Sequence, residues 1–380
     1  MLLGFGGRNF YSFKEDFDVS LEHKDTVLSV LGIKGANASG KTTLIKALSF
    51  IKMFMYDSFS QIEPNDGMLV SPFFNTNDNI ELYIHFKIDD IEYKYEIEFT
   101  RQKLLKETLS RKELRWITIL TREEDGSIEC IKEFDELKSI NFNRNNVSII
   151  SLAHQYGFKY LQIFYDFAKN IIVNVDQLGR MTNDEHFIDY KATSKFYFED
   201  KDLLDIVSDL LNKADTGINK IDIIEVEDEI SGRVMYEPIF YHNVEDKVYK
   251  LSYFEESNGT RLLYRQLGVY LYAIRLGQLV AYDEFDIGLH PDLSLMLIDL
   301  FDDKNINKHN AQLIFTSHSS EVIDKLGKYR LIFVNKEDNE SYLYRLDEIP
   351  GEILRPDRSI LPAYNSYKIG GRPKRIVVNG

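Results

Sequence analysis

Apolar residues recur along the chain with two different spacings, and each spacing predicts a different kind of element. Residues 27–33 form a nearly continuous apolar run that fits a buried strand, and residues 44–54 follow with apolar side chains at helical spacing. Ile80–Ile88 and Ile91–Phe99 alternate apolar and polar residues on either side of two aspartates, which predicts a β-hairpin with a two-residue turn. The pattern therefore predicts a strand, a helix and an antiparallel hairpin, in that order.

The same periodicities extend to the rest of the chain. Residues 2–21 predict two short strands that pack beside strand 27–33. The other predicted strands are 116–120, 128–131, 221–229, 234–241, 279–282 and 313–318, the predicted helices are 158–170, 202–213 and 262–276, and the predicted loops are 58–79 and 177–194. The sequence contains no internal repeat and no long series of coiled-coil heptads.

Residues 35–42, read as G-A-N-A-S-G-K-T, fit the phosphate-binding pattern G-x-x-x-x-G-K-[ST] between the predicted strand and helix. Glycines let the backbone curl so that its N–H groups and the helix N-terminus face an anion. In that arrangement Lys41 would reach the β- and γ-phosphates, and Thr42 would offer its hydroxyl to Mg²⁺. The alternative is a glycine-rich turn that binds no ligand, although a chance match to this pattern in a chain of this length has odds of about one in a hundred. The candidate nucleotide-binding residues are Gly35, Asn37, Ser39, Gly40, Lys41, Thr42 and Thr43.

A second candidate group follows the apolar strand at residues 279–282. Asp283 and Glu284 come directly after it, at the carboxyl end of a buried strand where α/β proteins bind ligands. We expect Asp283 to hold Mg²⁺, directly or through water, and Glu284 to orient and deprotonate the attacking water. An Asp-Glu pair alone is a common strand end, so this interpretation depends on the phosphate-binding loop.

Two further segments complete the candidate site. His318 ends the strand at 313–318, where it could contact the γ-phosphate and report its presence, although an isolated histidine is more often a turn residue. Ser257 and Gly259 precede the predicted helix at 262–276 and make a second anion-binding corner. One triphosphate does not need two such corners in one chain. A homodimer or higher oligomer that binds each ATP between two copies does need both corners, since one copy supplies the phosphate-binding loop and the other supplies the second corner.

Composition and charge restrict the classes of partner. The net charge of −15 counts against DNA binding driven by counterion release, although basic patches at 101–115 and at Arg372, Lys374 and Arg375 leave DNA as a weak alternative. No apolar run reaches the roughly 18 residues of a membrane span, so no membrane partner is expected. Residues 1–10 lack a basic leader and a cleavage site, which predicts a first strand and a cytoplasmic location. The single cysteine, Cys130, excludes an intrachain disulfide and a cysteine-rich zinc site.

Segments 35–42, 256–261, 283–291 and 316–319 occur in the order and character of ABC-type ATPases of the SMC and OLD kind. The chain more closely resembles the bacterial abortive-infection and phage-defence ATPases of the RloA/AbiLi group, to which the AriA subunit of PARIS systems is related. The resemblance covers roughly residues 1–100 and 220–375. It is carried by NFYSFKE, GANASGKTTLIKALSF, ESNGTRLL, DEFDIGLHPDL, AQLIFTSHS and YNSYKIGGRPK.

The resemblance implies roles for individual residues. Ser257, Asn258, Gly259 and Thr260 would be the signature motif that acts in trans, and His318 the switch histidine. The chain departs from transporters in two places: it has S-N-G-T instead of L-S-G-G-Q, and His290 followed by Pro291 instead of an aspartate. The sequence identifies no glutamine equivalent to the metal-sensing lid residue of the family, and the loop at residues 71–75 is the position expected for this lid.

The resemblance also implies a function. Such ATPases are sensor or scaffold subunits of anti-phage systems that respond to a phage-encoded trigger and control a partner effector, typically a Toprim-type nuclease. That nuclease would act in trans, since only about 60 residues follow His318 and a domain usually needs roughly 100. The alternative is a DNA-repair or recombination ATPase of the SMC/RecF kind without a coiled coil. A transporter subunit fits less well, because the hairpin and signature differ.

These observations predict an α/β fold: a P-loop ABC-type ATPase head with an antiparallel β-layer and a helical insertion, and no long coiled coil. Residues 1–100 and 225–380 would form the head, and residues 101–224 an insertion with a β-hairpin and helices. The predicted cofactors are ATP and Mg²⁺.

Overall fold

The computed structural model describes residues 1–139, 144–181, 189–214, 217–227, 232–287, 289–350, 354 and 358–372. The strands are β1 Leu2–Arg8, β2 Phe17–Ser20, β3 Glu22–His23, β4 Thr26–Val27, β5 Val30–Gly35, β6 Ile80–Ile88, β7 Ile91–Phe99, β8 Leu104–Lys112, β9 Trp116–Glu123, β10 Ile128–Cys130, β11 Ile171–Val173, β12 Ile218–Glu227, β13 Val234–Val244, β14 Lys247–Ser252, β15 Leu279–Tyr282, β16 Gln312–Thr316, β17 Leu331–Glu337 and β18 Glu340–Arg345. The α-helices are α1 Lys41–Gln61, α2 Ile149–Gln155, α3 Gln162–Lys169, α4 Tyr190–Glu199, α5 Lys201–Lys213, α6 Asn258–Leu276, α7 Pro291–Asp302, α8 Glu321–Leu326 and α9 Leu361–Asn365.

The chain divides into two compact units. Unit 1 comprises Met1–Arg180, Gln278–Phe285 and Asn310–Gly380, and unit 2 comprises Met181–Gly277 and Asp286–His309. This division differs from the predicted boundaries. Residues 101–180, predicted as part of an insertion, lie in unit 1, since β8 pairs with β7 and extends its sheet.

Unit 1 contains two large sheets. One has seven antiparallel strands in the order β10-β9-β8-β7-β6-β1-β2, and the other has six strands in the order β11-β15-β16-β5-β17-β18. In the second sheet the first five strands are parallel and β18 is antiparallel. Because β5, β15 and β16 are parallel neighbours, their carboxyl ends lie at the same edge, where ligands bind in α/β proteins.

Helix α1 forms much of the core of unit 1. It packs against β1 and β6 of the seven-stranded sheet and against β5, β11 and β15 of the six-stranded sheet. Residues around most of its circumference are inaccessible to solvent, including Leu44, Ile45, Leu48 and Phe50. A helix that is apolar on nearly all sides is stable only when it is buried in this way. The helix that follows the phosphate-binding pattern is therefore fixed by both sheets.

A buried carboxylate, Glu107, pairs with an arginine of the seven-stranded sheet and joins that sheet to helix α2. Glu107 on β8 and Arg122 on β9 are 0% and 1% exposed, and their Oε2 and Nη1 atoms are 3.6 Å apart. Glu107 Oε1 also accepts hydrogen bonds from the Tyr95 hydroxyl at 2.6 Å and from Ser148 Oγ at 2.7 Å. The backbone N–H of Ile149, the first residue of α2, donates to the same carboxylate. One acidic side chain thus fixes the start of α2 on the sheet.

Unit 2 combines the antiparallel sheet β12-β13-β14 with helices α4 to α7. Helices α4 and α5 pack against β13 and β12, and α6 contacts α4, α5 and α7. Tyr264 on α6 is fully buried, and its hydroxyl lies 2.9 Å from Ser194 Oγ on α4. These contacts hold helix α6 firmly within unit 2.

The predicted fold class is confirmed, and several elements match closely. Strands β6 and β7 have the predicted bounds, and their turn residues Asp89 and Asp90 have φ of +47° and +66°, as a type I′ turn requires. The longest helix of the described residues is α1, with 21 residues, so no long coiled coil is present there. None of the helices described is long and apolar enough to cross a membrane.

Other expectations were wrong in detail. Strands β1 and β2 pair with each other, and β1 pairs with β6, so they do not extend the sheet of β5. The alternation of buried and exposed residues in β2 suits a sheet with one solvated face, whereas β5 is buried throughout. Helix α4 begins inside the predicted loop 177–194, because the Asp189 side chain caps it by accepting from Lys191 N. Strand β14 was not predicted, since its residues are almost all exposed.

Candidate functional site

Residues 35–40 form the phosphate-binding loop between β5 and α1. Gly40 has φ +113°, and a side chain there would meet Ser341 Oγ at 2.8 Å, so only glycine fits without strain. At Gly35 an added Cβ would lie 2.4 Å from the backbone oxygen of Val334 on the neighbouring strand β17. Gly40 is thus required by its left-handed backbone conformation, and Gly35 by the close approach of a neighbouring backbone. Asn37 is exposed and Ser39 buried, and Thr43 lies in the first turn of α1, 3.4 Å from Ser12 Oγ.

Lys41, the first residue of α1, folds back over this loop. Its Nζ donates hydrogen bonds to the backbone oxygens of Gly35 and Ala36, each at 2.9 Å. Burial lowers the pKa of Lys41 below its usual value, and the nearby carboxylates of Asp283 and Glu284 act in the opposite direction. The lysine therefore lies close enough to both acidic residues to feel their charges.

Asp283 is the meeting point of three segments that are distant in the sequence. Thr42 Oγ1 donates to Asp283 Oδ2 at 2.7 Å, across 241 sequence positions. Thr316, at the end of β16, donates from Oγ1 to Asp283 Oδ1, also at 2.7 Å. The side-chain amide of Asn174, just after β11, bonds to the backbone N–H and backbone oxygen of Asp283 at 2.7 and 2.9 Å. The strand end is thus fixed through both its side chain and its backbone.

Thr42 and Asp283 provide oxygen ligands that suit Mg²⁺. Their bonded oxygens are 2.7 Å apart, close to the separation of about 3.0 Å between adjacent ligands in an octahedron with bonds near 2.1 Å. Mg²⁺ typically takes one or two protein oxygens and completes its shell with phosphates and water. No cluster of three or more His, Cys, Asp or Glu residues suited to a metal occurs among the described residues. A magnesium ion held with a bound nucleotide needs no such cluster.

Glu284 has an unusual backbone for a residue with a side chain. Its φ is +52°, in the left-handed region, and its N–H donates to Thr316 Oγ1 at 2.8 Å. The carboxylate lies between two nitrogen-bearing side chains: Arg180 Nε is 3.4 Å from Oε2, and His318 Nε2 is 3.9 Å from Oε1. His318 itself is about half exposed. The structure therefore groups Glu284 and His318 with Lys41, Thr42 and Asp283.

The candidate signature residues form the N-terminus of helix α6 in unit 2. Ser257 is the N-cap, and its Oγ accepts from Thr260 N at 3.1 Å and lies 2.9 Å from Thr260 Oγ1. Asn258 Oδ1 accepts from an Arg261 side-chain nitrogen. A Cβ added to Gly259 would have its nearest neighbour at 3.9 Å, so this corner is open. His290, which replaces the expected aspartate, is the N-cap of α7.

The preceding residue, Glu256, anchors this corner. Its side chain is 5% exposed, and its Oε1 lies 2.6 Å from His242 Nε2 on β13. The corner is therefore tied to the sheet of unit 2 as well as to helix α6.

Sequence reasoning missed three residues of the site. Asn174 and Arg180 follow β11, a strand of only three residues that was not predicted and that reaches the site by pairing in parallel with β15. Thr316 lay within a recognised segment, but nothing in the sequence identified its two hydrogen bonds. Near them, Gln177 has a buried Oε1 without a hydrogen-bond partner among the described residues. The lid guessed at residues 71–75 stays a prediction; Phe73 N of this segment donates to Asn9 Oδ1 at 3.0 Å.

The predicted basic patch at residues 101–115 is largely neutralised. Lys106, Arg111 and Lys112 form ion pairs with Glu123, Glu113 and Glu92, at 3.0, 2.8 and 2.8 Å. Lys103 pairs with Glu124. In the second patch, Lys374 and Arg375 lie outside the described residues.

Comparison with known proteins agrees with this fold. A family model described as "AAA domain, putative AbiEii toxin, Type IV TA system" matches residues 30–324. The chain is similar to a solved "SmcHead bound to the C-winged helix domain of ScpA", at 15% identity and a TM-score of 0.52 over 92% of this chain and 99% of that one. It is also similar to an Smc head domain with an extended coiled coil, bound to the C-terminal domain of ScpA and derived from Pyrococcus furiosus, at 12% identity and a TM-score of 0.46 over 91% and 97%. No curated protein matches. At 15% identity, the first likeness shows a shared fold.

Proposed function

The chain belongs to this AAA-domain family, whose model spans most of its length, and on that premise we propose that it is a Mg²⁺-dependent ATPase. The observation that carries the proposal is the 2.7 Å hydrogen bond between Thr42 and Asp283. It brings the end of the phosphate-binding loop to the acidic end of β15, as a shared triphosphate and metal require. A glycine-rich turn without a ligand has no need of this contact.

Each residue then has a defined task. Lys41, Gly35, Asn37, Ser39, Gly40 and Thr43 bind the phosphates, with Lys41 exchanging its two backbone acceptors for phosphate oxygens. Thr42 and Asp283 would hold Mg²⁺, which would supply positive charge that neutralises the phosphates. Glu284 is the general base: it takes a proton from water as the water oxygen bonds to the γ-phosphorus and the bond to the bridging oxygen breaks. His318 contacts the γ-phosphate region beside Glu284.

We propose further that two copies share each nucleotide. Residues Ser257, Asn258, Gly259 and Thr260 head the 19-residue helix α6, whose first N–H groups and dipole favour an anion. The open space at Gly259 lets a phosphate approach the backbone. ATP would therefore hold a homodimer or higher oligomer together, and hydrolysis would release it.

In the cell, we place the protein among anti-phage ATPases of the RloA/AbiLi kind, related to the AriA subunit of PARIS. It would sense infection through a phage-encoded trigger and control a partner nuclease, of Toprim type, by its nucleotide state. The six sequence segments of the resemblance support this role, as does a family description that refers to a toxin of a toxin–antitoxin system. A neighbouring gene for a Toprim nuclease, and capture of its product in the presence of ATP, would test the assignment.

The alternative is a DNA-repair ATPase without a coiled coil, which the likeness to the SmcHead fold favours. The ion-paired state of residues 101–115 and the net charge of −15 argue against it. Binding of duplex DNA by the purified chain at 50 and 200 mM salt separates the two. Tight, ATP-dependent and salt-sensitive binding supports repair, and its absence supports the defence role.

Two substitutions test the ATPase itself. Glu284→Gln removes the base but keeps the shape of the side chain, so ATP binding should persist while turnover falls at least a hundredfold, about 3 kcal/mol in the barrier. Lys41→Ala should lose nucleotide affinity. Glu245→Gln and Lys304→Ala, both at exposed positions, are the matched controls. Parental hydrolysis by Glu284→Gln, or parental binding by Lys41→Ala, measured by phosphate release and calorimetry, would refute the corresponding assignment.

A further inference from the structure

The segment from Asn174 to Arg180 follows β11 and is fixed at several points. The Asn174 side chain accepts a hydrogen bond from the backbone N–H of Asp283 and donates one to its backbone oxygen. Val175 is fully buried, and its backbone oxygen accepts from Ser49 Oγ of helix α1 at 2.6 Å. The backbone oxygen of Gln177 accepts from Lys46 Nζ, also on α1, at 3.1 Å. This segment is therefore attached to the helix that begins at the phosphate-binding loop.

The same segment closes on itself as a tight turn. Asp176 N donates to the backbone oxygen of Gly179 at 2.9 Å, and Gly179 N donates back to Asp176 at 3.2 Å. The Asp176 side chain accepts from the N–H groups of Leu178 and Gly179 at 2.7 and 3.0 Å. Val175 and Arg180 then pair as an antiparallel bridge. The turn therefore sets the position of Arg180 by local bonds that depend little on its own side chain.

Arg180 directs its guanidinium at one oxygen of Glu284. Its Nε is 3.4 Å from Oε2, while the other oxygen, Oε1, faces His318 at 3.9 Å. The two paired side chains are only 27% and 36% exposed, so solvent screens their attraction less than it screens a fully exposed pair. The Arg180 contact thus distinguishes the two oxygens of the carboxylate, although both are chemically equivalent in the free side chain.

We propose that Arg180 is a positioning residue for Glu284. Its guanidinium holds Oε2 in place, so that Oε1 is directed towards the attacking water and is free to take its proton. This inference rests on the ATPase function proposed above. A glutamate side chain loses rotational freedom when it is held, and without a partner it would spend most of its time away from the reactive geometry. Misplacement of a reacting group by about 1 Å can cost around a hundredfold in rate.

Arg180→Ala is the main test. We expect kcat for ATP hydrolysis to fall about ten- to hundredfold, while KM and the dissociation constant for ATP change less than about twofold, since Arg180 acts on the base and not on the nucleotide. Arg180→Lys, which keeps the charge but loses the planar guanidinium, should recover part of the rate. Added guanidinium chloride, at tens of millimolar, should raise the rate of the alanine variant and leave the parental enzyme unchanged. Arg115→Ala, at an exposed position, is the control.

Each outcome has one meaning. Loss of ATP affinity in Arg180→Ala would show that the arginine binds phosphate, and a rate above the parental one would show that its ion pair inhibits Glu284; either result overturns the proposal. Parental kinetics would do so too. If Arg180→Ala melts more than a few degrees below the parent, its loss of rate could come from a loss of structure. The rates of Arg180→Lys and of the alanine variant with added guanidinium then decide whether the proposal holds. If the parental protein itself does not hydrolyse ATP, the proposed function fails, and that result is distinct from all of these.

Discussion

At the scale of single residues, Thr316 joins the two acidic residues of the site. It is fully buried, and its hydroxyl donates to Asp283 Oδ1 and accepts from the backbone N–H of Glu284. A residue with a side chain seldom keeps a positive φ unless its surroundings hold it there, and strain of this kind costs about 1–3 kcal/mol. One hydroxyl therefore links the proposed metal ligand to the backbone turn that presents the proposed base.

Thr316→Val tests this link. Valine has nearly the same shape but leaves Asp283 Oδ1, which is buried, and the part-buried N–H of Glu284 without this partner, and an unsatisfied buried group costs about 1–3 kcal/mol. We expect kcat to fall about tenfold or more with a modest loss of stability, because Glu284 would no longer be held in its turn. Thr316→Ser keeps the hydroxyl and should remain near the parental rate. Steady-state phosphate release and a thermal melt measure both effects, and a fully active valine variant would show that the hydroxyl is dispensable.

At the scale of elements, the attachment of helix α2 depends on a charge buried in the seven-stranded sheet. Glu107 bonds to Tyr95, Ser148 and the first N–H of α2, and it pairs with Arg122. A buried pair adds little net stability against an apolar replacement, but removal of one partner leaves the other charge buried and uncompensated. The pair therefore makes both residues hard to replace one at a time.

Arg122→Met should lower the free energy of unfolding by about 3–5 kcal/mol, because it leaves the carboxylate of Glu107 without its counter-charge. The matched control is Lys106→Met on the same sheet, whose ion pair with Glu123 is about half exposed and should contribute less than about 1 kcal/mol. Urea unfolding followed by circular dichroism measures both values. Equal losses of unfolding free energy in the two variants would mean that burial does not increase the cost of removing one partner of an ion pair.

The sequence predicts what is local and misses what depends on long-range pairing. The phosphate-binding loop was recognised because its residues are contiguous, and Asp283 and Glu284 because they end a clear apolar strand. Asn174 reaches Asp283 only because β11 pairs in parallel with β15, more than a hundred residues away in the sequence. Glu107 lies among the basic residues of segment 101–115, a pattern that is typical of a solvated surface. Yet it shares a face of β8 with buried Leu109, and this alternation was a signal of its burial.

At the scale of the whole molecule, the proposed cycle depends on assembly. The phosphate-binding loop belongs to unit 1 and the candidate signature corner to unit 2. In the proposed oligomer, the corner of one copy completes the site of another, so nucleotide would control association. With a net charge of −15, copies repel one another, and salt should favour their approach.

Ser257→Arg should block this assembly. The substitution puts a bulky side chain at an exposed serine in the open corner. It is tested in a protein that also carries Glu284→Gln, which should bind ATP without hydrolysing it. This double variant should no longer form the ATP-dependent dimer or higher oligomer. ATP binding by each copy through Lys41 should persist. Ser139→Arg, also at an exposed position, controls for the added charge. Sedimentation with and without ATP provides the measurement, and an unchanged nucleotide-dependent mass would remove the composite site from the mechanism.

The path of the chain between the two units has a mechanical consequence. The chain leaves unit 1 immediately after Arg180 and again after Phe285, one residue beyond Glu284. The arginine and the glutamate that pair in the site are therefore also the last tethers before unit 2 begins. A pull on the first connection reaches Arg180 directly, whereas a pull on the second first meets Phe285, which is buried and whose backbone N–H donates to the backbone oxygen of Thr316 at 3.1 Å. Force applied to unit 2 by a binding partner would thus reach the two residues to which we assign the positioning of the base and the abstraction of the proton from water.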